Sequence, residues 1–205
     1  MTTADDRPPF SLPPMSCEPT RAQQRLLGLT GPRRSRSDAE SEVLTSVALS
    51  PTAWSGLRPF LDAPGWLTGG PLYGHRTGGV LHVQLVAPGG YPWWRPEGTP
   101  LDMDAHYTLG WSDALRSLYG DTVSWVGQWL MYPSRGFATT AVDHAWVDQG
   151  RPTRLIDCEH PLLVIGFDEG VLRVRAYRCE PGSLDIIQLT LTDVQDDRRG
   201  NLGES

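Results

Sequence analysis

The sequence predicts an α+β fold, a β-sheet flanked by helices. Three observations carry this. Apolar side chains recur with strand-like spacing in several short runs, above all Val80–Ala87, where Val80, His82, Gln84 and Val86 alternate with Leu81, Val83 and Leu85. Between those runs stand segments with helical periodicity and capping residues. Strands dominate the second half, which is not the regular alternation of an α/β protein. A length of 205 residues and a mass of 22.6 kDa suit one domain with a tail.

Residues 1–38 are rich in Pro, Arg and Ser and lack periodicity, so they read as a disordered tail with one short helix at Arg21–Leu27. A single domain is expected over 39–195, with a polar tail at 196–205. Val43–Leu49 is the first strand. Ser50-Pro51 then starts a helix, with a hydroxyl cap followed by Pro at the first helical position. That helix runs to Asp62 and buries Trp54, Leu57 and Leu61, with Pro59 weakening its last turn. Trp66–Gly74 is a glycine-rich strand, and Gly78-Gly79 turns it into Val80–Ala87. A long loop holds Trp93-Trp94, and Asp104–Tyr119 is an amphipathic helix. Val123–Met131 is an apolar strand, and Thr140–Gln149 a short helix with Thr140 as its cap. Pro161–Phe167 and Val171–Tyr177 form a hairpin around Asp168-Glu169-Gly170, and Leu184–Thr192 is the last strand. The order is β-α-β-β-α-β-α-β-β-β.

All 18 basic residues are Arg, which excludes a Lys Schiff base, a P-loop Lys and a Lys general base. The net charge of −6 divides into +3 over residues 1–37 and −9 over the remainder. An acidic body argues against nucleic-acid binding. No run reaches membrane-spanning length, and MTTADDRPPF lacks the pattern of a secretory signal. Cys17, Cys158 and Cys179 are odd in number and lack metal spacing. These features lead to the expectation of a cytoplasmic protein with reduced thiols.

The run Gly127-Gln128-Trp129-Leu130-Met131-Tyr132-Pro133 lies where a strand passes into a loop, and Thr140 and Asp143 follow at a helix start. Upstream stands Gly69-Gly70-Pro71-Leu72-Tyr73-Gly74. This pattern resembles the JAB/MPN (JAMM) metallopeptidase family, over roughly residues 42–180. There a strand ends in His-x-His-Pro, Ser-x-x-Asp follows, and a Glu precedes a Gly-Gly-x-Leu-x-Gly strand. The resemblance implies a central curved mixed β-sheet flanked by helices, of the cytidine-deaminase-like kind. In the family the two His and the Asp bind zinc, the Glu is the base and the Ser assists the oxyanion. Laid on this chain, the His positions fall on Leu130 and Tyr132, the Ser on Thr140, the Asp on Asp143 and the Glu on Leu67, or on Trp66 if the offset slips by one.

Leu130 cannot bind zinc and Leu67 cannot act as a base, so the resemblance implies a degenerate member: no catalytic residues, no metal and no cofactor. Its expected role is that of a pseudoenzyme serving as a protein-binding or scaffolding module. The implied partner is a ubiquitin-like protein or an active JAMM paralogue, and a dimer is compatible with the sequence. Trp93, Trp94 and Tyr132 are the candidate contact residues. The alternative is a hydrolase with a rebuilt site around Tyr132, Thr140, Asp143 and His144, a phenol beside a carboxylate. Asp143 also reads simply as a first-turn helix acid. A relocated metal site from Asp143, His144 and His160, or a Cys158–His160 thiol centre, is a lesser reading, and His75, His82 and His106 show no ligand spacing.

Overall fold

The computed structural model describes residues 42–62, 67–89, 101, 104–180 and 182–192. The proposed tails at 1–38 and 196–205 and the Trp93-Trp94 loop lie outside them. In chain order the elements are β1 (Ser46–Leu49), α1 (Pro51–Leu61), β2 (Thr68–Thr77), β3 (Val80–Val86), α2 (Ala105–Tyr119), β4 (Ser124–Gly136), α3 (Thr140–Gly150), β5 (Leu162–Asp168), β6 (Val171–Cys179) and β7 (Ile186–Leu191). A single 3-10 turn, Gly120–Thr122, links α2 to β4. The order is the one the sequence implies.

Local chemistry explains the helix starts. Ser50 is extended, its hydroxyl accepts from the Ala53 N–H at 3.1 Å, and Pro51 opens α1. Asp104 caps α2, its carboxylate accepting from the His106 and Tyr107 N–H groups at 2.9 and 3.1 Å. Gly120, at φ 62°, ends that helix in a backbone region that suits glycine. In α3 the cap is Thr139 rather than Thr140, and its side chain makes no capping bond.

The sheet itself departs from expectation. The strands close into a barrel in the order β1-β3-β2-β4-β5-β6-β7, with β7 returning to β1. The predicted α+β architecture, a JAB/MPN-like curved sheet with flanking helices, is therefore wrong for this chain. The reason lies in β1. It pairs in parallel with β3 on one edge, Ser46 opposite Val80, and in parallel with β7 on the other, Ser46 opposite Thr190. Thr190 N–H donates to the Thr45 carbonyl at 3.1 Å, and Thr192 N–H to that of Val47 at 2.8 Å. Spacing along a strand reveals which face is apolar; it carries no record of which strand that edge will meet.

Two apolar layers result. The barrel interior gathers Val47 and Leu49 of β1, Leu72 of β2, Leu81 and Val83 of β3, Trp129 and Met131 of β4, Ile165 of β5, Ala176 of β6 and Leu189 of β7, with Ala53 and Leu57 of α1 packed against them. The second layer lies outside the wall formed by β2, β4, β5 and β6, and contains Tyr73, Leu130, Tyr132, Leu162, Val164 and Tyr177 beneath Leu115 of α2 and Val147 of α3. Strands β4 and β5 are thus buried on both faces, which accounts for their nearly continuous apolar runs.

Trp129 anchors the interior. It is fully buried, its ring lies 4.9 Å from that of Phe60, and its indole N–H donates to the Ala87 carbonyl at 2.8 Å. That same carbonyl backs onto Gly70, where a side chain would run into it. Gly70→Ala is expected to lower unfolding stability by about 2 kcal/mol through overpacking. Gly110, in the middle of α2 with open space around it, should behave oppositely: Gly110→Ala should add about 0.5–1 kcal/mol from helix propensity. Urea unfolding measures both, and a neutral Gly70→Ala would contradict the close approach of these backbones.

Candidate functional site

Among the described residues, several buried polar groups meet where α3 crosses the outside of the barrel. Strand alternation creates it. Leu130 and Tyr132 point outward from β4, and Arg175 and Tyr177 outward from β6, with β5 between them. Opposite residues run Leu130, Val164, Arg175 across this wall. The first turn of α3 lowers Asp143 onto it.

Asp143 has no solvent exposure. One carboxylate oxygen accepts from the Tyr132 hydroxyl at 2.6 Å. The other accepts from the Tyr177 hydroxyl at 2.9 Å and from Arg175 Nη1 at 3.3 Å. Arg175 Nη1 also donates to the Ala138 carbonyl at 3.0 Å, and its guanidinium lies 4.2 Å from the centre of the Phe137 ring. The charge is therefore met by one cation and two hydroxyls, as a buried carboxylate requires. The His144 ring meets Tyr177 edge-on at 5.3 Å. The Trp146 indole comes up against the Tyr132 oxygen without closing a regular hydrogen bond. Beyond Tyr132, Arg135 adopts φ 61° and donates from Nη1 to the Tyr132 carbonyl at 3.0 Å, which holds the end of β4 in place.

Both phenols are held neutral. Burial, then the hydrogen bond to Asp143 and its charge, raise the pKa of Tyr132 well above the ordinary tyrosine range. The same causes, opposed in part by Arg175, push Tyr177 up to about 12. A phenol so held donates a hydrogen bond and keeps its proton.

The structure brings together part of the predicted constellation. Tyr132 and Asp143 touch, and His144 joins the cluster through Tyr177. Thr140 is exposed at the start of α3, and no hydrogen bond links it to the cluster. Leu130 is fully buried in the outer layer, and Leu67 packs against that layer from its edge. The contact residues Trp93 and Trp94 fall outside the described residues. Tyr132, also proposed as a contact residue, is 8% exposed and turns its hydroxyl inward to Asp143. His160 does not join Asp143; its Nδ1 lies 3.0 Å from Asp157, and its ring stacks on Trp125 at 4.5 Å. Among the described residues no group of three His, Cys, Asp or Glu side chains could hold a metal.

Tyr177 and Arg175 are the members that sequence reasoning missed. They stand 34 and 32 residues from Asp143, respectively. One signal did exist: Arg175 and Tyr177 share one face of a strand whose other face carries Val174 and Ala176.

No protein-family model matches the chain, and no curated protein matches it. Among solved structures it is similar to protein DSY2949 from Desulfitobacterium hafniense, at 13% identity and a TM-score of 0.51, over 72% of this chain and 92% of that one. At that identity the likeness concerns the fold alone. Among the described residues no helix is long and apolar enough to cross a membrane.

Asp143→Ala strands Arg175 and two hydroxyls and is expected to cost about 3 kcal/mol, while Tyr132→Phe costs about 1 kcal/mol, both by chemical unfolding. Tyr177 supplies a pH test. It ionises at its ordinary 10.0 when unfolded but only near 12 when folded. The folded state therefore keeps the proton longer, and this contribution, whole below pH 10, is lost as pH rises toward 12. Tyr177→Phe should flatten part of the alkaline fall in stability; an unchanged slope would contradict the assignment.

Proposed function

We propose that this chain is a non-catalytic protein-binding module. The observation that carries the proposal is the enclosure of Asp143. Its carboxylate has no exposure and receives three internal donors, and the neighbouring Tyr132 is 8% exposed. A general acid or base must reach a substrate. Here the phenol and the carboxylate spend their hydrogen bonds on each other, so the hydrolase alternative around Tyr132, Thr140, Asp143 and His144 loses its support. The closed barrel also removes the framework on which the JAMM positions were laid. What remains of that expectation is the binding role, and it rests on the surface.

The two most exposed large apolar side chains among the described residues, Leu118 and Leu184, stand at one end of the barrel, while Phe167 and Val171 at the other end are less exposed. Leu118 and Tyr119, 75% and 50% exposed, close α2 just before β4 begins. Leu184, 85% exposed, tips the turn between β6 and β7. That turn lies at the same end, because the start of β5 is opposite the last residues of β6. It is also held firmly: Arg151, at the end of α3, donates to the carbonyls of Ser183 and Leu184 at 3.4 and 2.6 Å. An apolar side chain on a fixed turn loses little entropy on binding.

The proposed partner is a folded protein that covers this end, and a ubiquitin-like protein is one candidate. Site-specific photo-crosslinking in the native cell, with the probe at Leu118 or Leu184, should capture one defined protein. A probe at Asp168, on the β5–β6 turn, should not. Leu184→Asp should abolish the crosslink formed from position 118. An identical set of adducts from all three positions, or none from any, would contradict the proposal.

A further inference from the structure

His75 and His82 are seven positions apart, a spacing that suggests no shared role. The β2–β3 hairpin places them directly opposite each other on neighbouring antiparallel strands. Their side chains share the outer face of the barrel, both half-buried. The rings lie nearly parallel, at 14°, with centroids 4.9 Å apart. Gln84, on the same face of β3 two residues beyond His82, brings its amide to within 3.3 Å of His75 Nδ1.

We propose that the His75–His82 pair is a two-imidazole chelate for a divalent transition-metal ion of the nickel, copper or zinc type, with Gln84 as a positioning residue. The spacing fits. A metal–nitrogen bond of about 2.1 Å puts a ring centre about 3.2 Å from the ion. Two such rings have centres about 4.5 Å apart at a right-angled site and about 5.2 Å apart at a tetrahedral one. The rings are stacked at 14°, so their nitrogens do not yet converge; with centroids already 4.9 Å apart, rotation about the side-chain bonds turns them toward one ion. Imidazole suits these metals.

Protonation favours the same reading. Binding requires neutral rings. Burial and the neighbouring His75 both lower the pKa of His82, which keeps it neutral at physiological pH. Gln84 supplies orientation. The structure sets its amide nitrogen 3.3 Å from His75 Nδ1; when an ion binds at Nε2 the amide turns over, so that its oxygen accepts from Nδ1–H, the usual arrangement behind a ligating imidazole.

Two protein ligands leave the remaining positions to water, so exchange is fast and affinity modest. The site nonetheless has a structural reach. His82 is also opposite Ala48 of β1, so an ion here ties β2 to the strand that β1 joins at the closure of the barrel.

The test is calorimetric titration of the untagged full-length chain with Ni²⁺ at neutral pH. The parent should bind one ion. Because the second imidazole binds intramolecularly, His75→Ala or His82→Ala should each weaken affinity roughly a hundredfold. Gln84→Ala should weaken it about tenfold. His106→Ala, whose side chain is 95% exposed and remote in sequence, should leave it unchanged. Ni²⁺ should raise the thermal midpoint of the parent but not of His75→Ala. Metal-free melting curves of the variants confirm that they fold. Absence of saturable binding by the parent, or parental affinity in both His variants, would overturn the proposal.

Discussion

A carboxylate without solvent exposure has to be surrounded by donors, and Asp143 obtains its three from two strands that are not neighbours. Tyr132 comes from β4, and Tyr177 and Arg175 come from β6, with β5 between them. The arrangement holds only if those three strands keep their register and α3 lies across them. Val147 then reaches the outer apolar layer, and the chain after α3 returns to start β5. The interaction orients more than it stabilises. Desolvation of the pair offsets much of its Coulomb energy, whereas loss of either partner leaves a buried charge unmet.

Closure of the barrel makes this wall a firm support. Strand β1 is only four residues long, yet it is hydrogen-bonded on both edges. Without it, β3 and β7 would each present a free edge. With it, the inward side chains of all seven strands share one interior, and the outward side of β2, β4, β5 and β6 is left to be covered by α2 and α3. Gly70 and Trp129 belong to the same constraint, since both fix the Ala87 carbonyl against the wall.

Much of this was legible in the sequence and some was not, for a consistent reason. Local signals survived: Ser50-Pro51 starts a helix, Gly78-Gly79 makes a turn, and Leu162 to Ile165 is a strand. Asp143 stands out in the sequence, and the reading of a phenol beside a carboxylate already joins it to Tyr132, eleven residues away. Tyr177 and Arg175 escaped notice because their link to Asp143 exists only once β6 has paired with β5. The pairing of β1 with β7 escaped for the same cause, and with it the fold class. His75 and His82 are the opposite case: a hairpin that was read correctly from its turn, and a side-chain pair across it that was not.

Asp143 ties α3 to the barrel wall. Native-state hydrogen exchange on Asp143→Asn tests this. The amides of α3 should lose protection while those of β4, β5 and β6 keep theirs, because the helix is released and the strands stay paired. Unchanged protection throughout α3 would show that its packing holds it in place without the carboxylate and would contradict the account.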